Sequence, residues 1–252
     1  PNEKSPGPDG FTGLFYQTCW DVIKPELMQA LDKFCSGSSQ NLDLLNSAVI
    51  TLLPKKEAPT LLKDYRPISL VHSFSKLATK VMARRLAPRL DELVPFSQTA
   101  FIKGRSIHEN YVFVKGLVQQ FHKRKEEMIL LKLDISKAFD TVSWCFLLSM
   151  LKFRGFGPSW RRWLSMIFVT EKTSILINGV ASNPFKPARG LRQGDPLSPL
   201  LFVLVMDSLQ ALVDQARTMH LLSPSQQDRI YLLSQSMLTM PCCFFGLRPE
   251  RL

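Results

Sequence analysis

Residues 129–144 read ILLKLDISKAFDTVSW and carry the strongest structural signal in the chain. An apolar, strand-like run ends at the carboxylate of Asp134, and a second carboxylate, Asp140, follows a short turn beside Phe139. Mg²⁺ binds one or two protein carboxylates together with substrate phosphates, so a strand ending in an aspartate suits a metal site. Taken alone, an aspartate at a polar turn is the more ordinary interpretation.

The composition favours a folded protein with a polyanionic partner. The chain has 252 residues, of which 45% are hydrophobic, enough for one large domain or two subdomains that share a core. Its net charge of +11 predicts binding to nucleic acid or to an anionic membrane. Residues 55–105 hold 11 Lys or Arg against 4 Asp or Glu, a net of +7, so the charge is concentrated in one segment.

Cysteine usage and hydropathy bear on the cellular compartment and on whether the chain spans a membrane. The five cysteines show no metal-ligand spacing, and their odd number favours a reducing compartment over a secreted disulfide scaffold. The longest apolar run, residues 200–206, is far short of the roughly 20 residues of a membrane span. We therefore expect no membrane partner.

Local patterns predict an α+β protein with a small antiparallel sheet carrying helices on one side. Strands are predicted in SAVITLLP and TSILINGV, with a hairpin at Asn178-Gly179. Apolar spacing predicts helices in residues 15–31, 75–93, 108–125, 144–151 and 199–213. In the second of these, Lys76, Lys80 and Arg84 form a basic stripe, typical either of a phosphate contact or of a solvated helix face.

Five motifs together resemble the reverse transcriptase domain of LINE-type, non-LTR retrotransposons, the plant forms most closely. They are KSPGPDG at Lys4, DYRPISL at Asp64, SQTAFIKGRSIHEN at Ser97, LKLDISKAFDTVSW at Leu131 and RGLRQGDPLSPLLF at Arg189. They occur in the order of the family and cover residues 1 to about 222. Several long motifs in one order are specific, whereas a single short motif is not.

The resemblance implies a right-hand polymerase with fingers and palm, and we expect this chain to lack the thumb that follows the palm in the family. Residues 1–125 would form the fingers and 126–222 an incomplete palm, with a tail outside the family pattern at 223–252. The implied reaction is RNA-directed DNA synthesis, with an RNA template, a DNA primer, deoxynucleoside triphosphates and two Mg²⁺ ions. An intracellular location, in the nucleus or the cytoplasm, is expected of this family.

The resemblance also assigns roles at the catalytic centre. Asp134 matches the first metal ligand, helped by the backbone carbonyl of Ile135, and Phe139 matches the aromatic gate under the nucleotide sugar. Arg66 matches the fingers arginine that grips the triphosphate, where a planar, always-charged guanidinium suits phosphate oxygens. Lys55 lies in the same region and could assist. Core packing for Phe139 and a solvated turn for Lys55 remain the alternatives.

Two further sets of residues follow from the resemblance. Gln193 and Gly194 match the loop near the incoming base and template, where glycine permits close backbone approach. Asp140 and Asp195 also match family positions, but we interpret them as structural carboxylates that cap a turn or a helix start. The residues expected to contact nucleic acid are Lys76, Lys80, Arg84, Lys103 and Arg105.

The tail departs from the family pattern. Such a palm needs a second acidic strand-turn, usually Tyr-Ala-Asp-Asp, and this chain contains no Asp-Asp pair. With suitable codons, residues 234–245 read in another frame as Ser-Val-Tyr-Ala-Asp-Asp-Ala-Met-Leu-Phe-Phe, so we hypothesise a frameshift between residues 225 and 233. The coding DNA decides this hypothesis. With Asp134 alone, we expect this chain not to extend a primer.

Two alternatives to an enzyme and one alternative enzyme family stay open. The chain could be a remnant that only binds nucleic acid, or a translated pseudogene fragment that does not fold stably. A group II intron maturase shares the polymerase core, although the DYRPISL and RQGDPLSP motifs fit the retrotransposon branch better.

Overall fold

The computed structural model describes residues 5–38, 41–125, 129–132, 135–219 and 242–245; of residues 129–132, 217 and 242–245 it describes the backbone alone. Helices and two small sheets make up these ranges, which confirms the predicted α+β class. The predicted catalytic residue Asp134 lies outside the described residues. The chain divides into two compact units, the first formed by Pro1–Arg84 and Phe139–Ser198, the second by Arg85–Ala138 and Pro199–Leu252.

The elements follow one another in a mixed order of helices and strands. In chain order they are α1 (Gly13–Thr18), α2 (Trp20–Ser36), α3 (Leu42–Leu45), β1 (Ser47–Pro54), β2 (Tyr65–Val71), α4 (Ser73–Leu86), α5 (Leu90–Leu93), α6 (Ile107–Arg124), β3 (Ile129–Lys132), α7 (Ala138–Thr141), α8 (Trp144–Phe153), α9 (Pro158–Val169), β4 (Lys172–Ile177), β5 (Val180–Ala181), α10 (Ser198–Thr218) and β6 (Cys242–Phe245). Short 3₁₀ turns lie at Leu62–Asp64 and Ala87–Arg89.

The first unit contains a four-stranded sheet in the order β2-β1-β4-β5. β1 pairs antiparallel with β2 and β4 with β5, but β1 and β4 run parallel, so this sheet is mixed. Parallel neighbouring strands cannot be joined by a tight turn and need a long crossover connection. The connection from β1 to β4 is of this kind and includes α9. The predicted hairpin is confirmed: Asn178 and Gly179 both have positive φ, 51° and 82°, as a two-residue turn of this kind requires.

The predicted helix over residues 75–93 is interrupted at residues 87–89 and is not continuous. α4 ends at Leu86, and a 3₁₀ turn containing Pro88 separates it from the single turn of α5. Proline has no backbone N–H and clashes with the preceding turn, so it interrupts a helix. A helix that the sequence reasoning passed over, α9, begins with Pro158 at its first position, where proline is tolerated.

Buried leucines hold α8 and α9 together in the first unit. Leu147 and Leu151 of α8 and Leu164 of α9 are almost fully buried. Trp144 stacks on Phe168 with ring centroids 5.1 Å apart and planes nearly parallel, which adds an aromatic contact to the same core.

The second unit contains a two-stranded sheet in which β3 and β6 pair antiparallel, with Ile129 opposite Phe245 and Lys132 opposite Cys242. The predicted apolar helix is confirmed as α10 and extends to Thr218. By length and composition, Ser198–Ala216 could cross a membrane, a test that core helices of folded proteins also pass. Four apolar side chains in its first two turns are buried: Leu200, Leu201, Val203 and Leu204.

Candidate functional site

A loop formed by residues 189–195 is the best-anchored part of the candidate site. The amide of Gly190 donates to the carbonyl of Val142, and the amide of Leu191 donates to the carbonyl of Phe139, both at 2.8 Å. On its other side, the loop accepts a hydrogen bond of 2.8 Å from the amide of Ser69 in β2 to the carbonyl of Gln193. The loop therefore bridges α7 and β2.

Gly194 sits where the backbone of the loop touches the sheet. Its φ is +108°, and a Cβ placed there would lie 3.0 Å from the carbonyl oxygen of Ser69. The close backbone approach at Gly194 is to β2 of the protein itself, and the expected approach to base and template stays a prediction. Both the conformation and the contact require glycine.

We expect Gly194→Ala to lower the free energy of unfolding by about 1–3 kcal/mol, because the side chain adds backbone strain and a steric clash. Gly155→Ala is the matched control, since Gly155 also has a positive φ of +80° but no atom within 4 Å of the point that a Cβ would occupy. The control should lose only about 1 kcal/mol. Chemical denaturation measures both; equal losses would show that the Ser69 contact has no energetic weight.

Arg192 anchors the loop to Asn46 and Glu171 through a buried polar cluster. Its Nε lies 2.9 Å from a carboxylate oxygen of Glu171 as an ion pair outside hydrogen-bond geometry, and both side chains are less than 10% exposed. Its two terminal nitrogens donate to the side-chain oxygen and the backbone carbonyl of Asn46, at 2.7 and 2.8 Å. The amide group of Asn46 in turn donates to the carbonyl of Ile167 at 2.6 Å.

Burial shifts two carboxylates of this region in the same direction. Desolvation raises the pKa of Glu171, although the charge of Arg192 opposes the shift. Desolvation also raises the pKa of Asp195, opposed in part by hydrogen bonds that include those from the amides of Leu197 and Ser198. Asp195 accepts these two bonds at 2.8 and 3.3 Å at the start of α10. Its interpretation as a structural cap is therefore confirmed.

The two residues predicted to bind the triphosphate lie on the β1–β2 hairpin of the same unit. Arg66 is exposed on β2, opposite Leu53 of β1. Lys55 follows β1, and its backbone amide and side-chain amine donate to the carbonyls of Asp64 and Lys63, both at 2.8 Å. Lys55 and Arg66 thus lie near the same end of the hairpin.

The loop and the sheet enclose a cavity of about 210 Å³. Its lining includes Pro67, Ser69, Asp140, Phe185, Arg189 and Gln193. The cavity therefore opens between β2 and the loop that carries Gln193. Phe139, which is only 6% exposed, is not among the residues that line it.

Residues 53–229 match the sequence pattern of the family described as reverse transcriptase (RNA-dependent DNA polymerase). The chain belongs to the reverse transcriptase family. The transposon TX1 uncharacterized 149 kDa protein of Xenopus laevis is 29% identical over 248 residues, covering 95% of this chain. The Pol polyprotein of the type-2 retrotransposable element R2DM of Drosophila melanogaster is 30% identical over 205 residues, covering 81%. Each alignment covers 19% of the relative, so the chain spans about a fifth of their length.

These relatives confirm the predicted non-LTR retrotransposon branch of the reverse transcriptases. A solved structure shares the fold: apo telomerase from Candida tropicalis, truncated from its C-terminal domain, with a TM-score of 0.50 and 11% identity. The likeness covers 81% of this chain and 44% of that one. The predicted polymerase fingers and palm fold is confirmed.

Reverse transcriptases use divalent metal ions, yet the described part of the chain contains no group of three His, Cys, Asp or Glu residues that could hold one. The predicted ligand Asp134 lies outside the described residues, and Ile135, next to it, is half-buried in the second unit. The metal-binding roles of these two residues stay predictions.

The structure separates the predicted nucleic-acid residues into two groups. Lys80 and Arg84 are exposed on α4 and Lys76 is half-buried there, in the first unit. Lys103 is exposed in the second unit. Arg105 differs, because its side chain is only 7% exposed and its Nε donates to Asp91 at 3.1 Å.

The sequence reasoning missed the Arg192 cluster. Arg192 lies in the RGLRQGDPLSPLLF motif directly before Gln193. That position was a signal that its side chain could hold the Gln193 loop in place. Glu171 and Asn46 gave no comparable signal, because neither stands in one of the family motifs, and only the fold brings them to Arg192.

Proposed function

We propose that this chain is the reverse transcriptase domain of a non-LTR retrotransposon protein, of the kind that copies an RNA template into DNA, in a form that binds template and primer but does not itself extend the primer. The observation that carries the proposal is the hydrogen bond between the Gln193 carbonyl and the Ser69 amide. It fixes the loop of Gln193 and Gly194 to β2, the strand that bears the exposed Arg66. A candidate base-contacting loop and a candidate phosphate-binding arginine thereby share one rigid frame. Rigid frames position reacting groups within the small tolerances that catalysis needs.

The proposed roles follow from side-chain chemistry. Arg66 binds the triphosphate of the incoming deoxynucleotide through its planar guanidinium, with Lys55 as a second positive charge. Gln193 and Gly194 lie against the base and template, and Phe139 packs below the sugar. As domains we propose fingers at residues 1–125, palm at 126–222 and a tail at 223–252.

We propose Mg²⁺ as the metal, held by the Asp134 carboxylate and the Ile135 carbonyl. When bound, such ions activate the attacking oxygen and stabilise the leaving one. Because the chain has no Asp-Asp pair, we propose that it binds template and primer without extending the primer. The second candidate function is therefore that of a remnant that binds nucleic acid without catalysis.

Nucleic-acid binding is tested by fluorescence anisotropy of a labelled RNA–DNA template–primer over a range of salt concentrations. Each phosphate contact releases counterions, so we expect the double variant Lys80→Ala/Arg84→Ala to reduce the salt slope of log K by about 2. The control Lys24→Ala/Lys33→Ala removes two lysines from α2, neither of them among the predicted contacts, and should leave the slope unchanged. Equal slopes for both double variants would exclude α4 as the binding surface.

A further inference from the structure

Residues 95–105, here named the aromatic loop, hold two aromatic side chains in solvent. Phe96 is 77% exposed and Phe101 is 42% exposed. Exposed single apolar residues are common on proteins and need no explanation by themselves. The aromatic loop is different because hydrogen-bonded polar side chains fix its backbone around both rings.

Arg105 fastens one part of the aromatic loop. One terminal nitrogen donates to the carbonyls of Pro95 and Gln98 at 2.6 and 2.7 Å, and the other lies 2.9 Å from the carboxylate of Asp91. A guanidinium that is 7% exposed and bonded to several acceptors is a structural group. Arg105 therefore positions the loop and is not available as a free phosphate contact.

Asn110 of α6 fastens the middle of the aromatic loop. Its side-chain amide donates to the carbonyl of Ser97 at 3.1 Å and to the hydroxyl of Thr99 at 2.8 Å. Phe101, two residues further on, has a φ of +62°, a conformation that is unfavourable for a bulky side chain. The loop thus holds an aromatic residue in a strained backbone conformation without burying its ring.

The surroundings of the Phe96 ring leave one face open. The guanidinium carbon of Arg105 lies 5.5 Å from the ring centroid, over one face. Since the side chain is still 77% exposed, the opposite face is open to solvent. A flat ring supported from behind by a cation is suited to stacking against another flat, electron-rich ring.

Charge indicates the kind of partner. The aromatic loop contains no acidic residue, and its Lys103 is exposed. The surrounding residues 85–125 hold 8 Lys or Arg against 3 Asp or Glu, a net of +5. Open aromatic faces among positive charges are complementary to unpaired bases on a phosphate backbone, whereas an apolar protein surface would not require the charge.

We propose that Phe96 and Phe101 stack against unpaired bases of a single-stranded nucleic acid, while Lys103 contacts its phosphates and Arg105 and Asn110 position the loop. The inference rests on the proposed function, because the strand would be the unpaired template. It adds two stacking residues and gives Arg105 a positioning role in place of a phosphate contact.

The test is the affinity of the full chain for a labelled, uridine-rich RNA single strand of about 12 nucleotides, a length within the usual site size. We expect Phe96→Ala to raise Kd by about 5- to 150-fold, the range of one lost base stack, with an unchanged salt slope. Lys103→Ala should instead reduce the slope by about 1. Phe153→Ala removes a 93% exposed phenylalanine at the end of α8 and is the matched control, with no expected change.

A second measurement does not depend on substitution. The same RNA carrying 5-iodouridine, irradiated in complex with the unsubstituted chain, should give cross-linked peptides that contain Phe96 or Phe101. Phe96→Trp, which keeps a flat ring, should retain the affinity that Phe96→Ala loses, and thermal unfolding confirms that each variant is folded.

The outcomes separate this inference from the proposed function. If the unsubstituted chain binds neither the single strand nor a template–primer, both fail. If it binds but Phe96→Ala and Phe101→Ala keep the original Kd and the cross-links map elsewhere, the stacking role alone is overturned. Equal losses for Phe153→Ala and Phe96→Ala would also overturn it, because any exposed ring would then suffice.

Discussion

Arg192→Met is expected to lower the free energy of unfolding by about 3–5 kcal/mol, the usual cost of removing one partner from a buried ion pair. The side chain is 7% exposed, its charge faces Glu171 at 8% exposure, and its two terminal nitrogens bond Asn46. The variant keeps a similar apolar volume, so the loss reports the uncompensated Glu171 carboxylate and the two hydrogen bonds that Asn46 loses, although Ser75 and Lys172 still donate to the Asn46 oxygens. Equilibrium denaturation in urea measures it.

The double variant Arg192→Met/Glu171→Gln separates charge from packing. Glutamine removes the isolated charge, so the double variant should be more stable than Arg192→Met alone, and the coupling in the double-mutant cycle gives the pair energy. If Arg192→Met lowers the free energy of unfolding by less than about 1 kcal/mol, the contribution of a typical surface ion pair, then the cluster does not anchor the loop. Arg192→Lys keeps the charge but loses the two-pronged contact to Asn46, so it should be intermediate.

The same variant has a defined pH dependence. The pKa of Glu171 is raised by desolvation, and Arg192 opposes that shift, so Arg192→Met raises this pKa further. A raised carboxyl pKa contributes stability that is fully present below the unfolded-state value, near 4.5, and is lost as the pH rises through the folded-state value. The destabilisation by Arg192→Met should therefore be largest at neutral pH and should shrink as the pH falls toward 4.5.

Features set by local chemistry were predictable from the sequence. Asn178 and Gly179 fix their hairpin because both residues adopt positive φ readily, and the apolar spacing of α10 is visible in any window of that segment. Pro88 was also visible, and the error in the predicted helix over residues 75–93 came from giving apolar spacing more weight than the proline.

Features that depend on distant residues were not predictable. The parallel pairing of β1 and β4 joins strands about 120 residues apart, and no pattern within either strand specifies its neighbour. Arg105 shows the same limit for the candidate site. In the sequence it resembles any other basic residue of the 55–105 segment, and only its contacts to Pro95, Gln98 and Asp91 identify it as structural.

Restoring the acidic pair is expected to give Mg²⁺-dependent primer extension to a chain that we propose to be inactive. In the proposed variant, the twelve residues 234–245 are replaced by the eleven residues Ser-Val-Tyr-Ala-Asp-Asp-Ala-Met-Leu-Phe-Phe of the alternate-frame sequence, which shortens the chain by one residue. The unsubstituted chain should show no Mg²⁺-dependent primer extension, and the restored chain should exceed it by on the order of a thousandfold, since electrostatic stabilisation of a transferring phosphoryl group is a dominant catalytic contribution.

Asp134→Ala in the restored chain is the decisive control. It should abolish extension and leave the affinity for template–primer nearly unchanged, because the residue belongs to the proposed metal site and not to the basic surface. Primer extension by the unsubstituted chain would contradict the proposed inactivity, since the Asp134 carboxylate would then suffice for catalysis without the acidic pair. A restored chain that binds template–primer but never extends it would show that the acidic pair is not the missing element. The coding DNA tests the frameshift separately, since codons incompatible with the Tyr-Ala-Asp-Asp frame exclude that origin without affecting the enzymology.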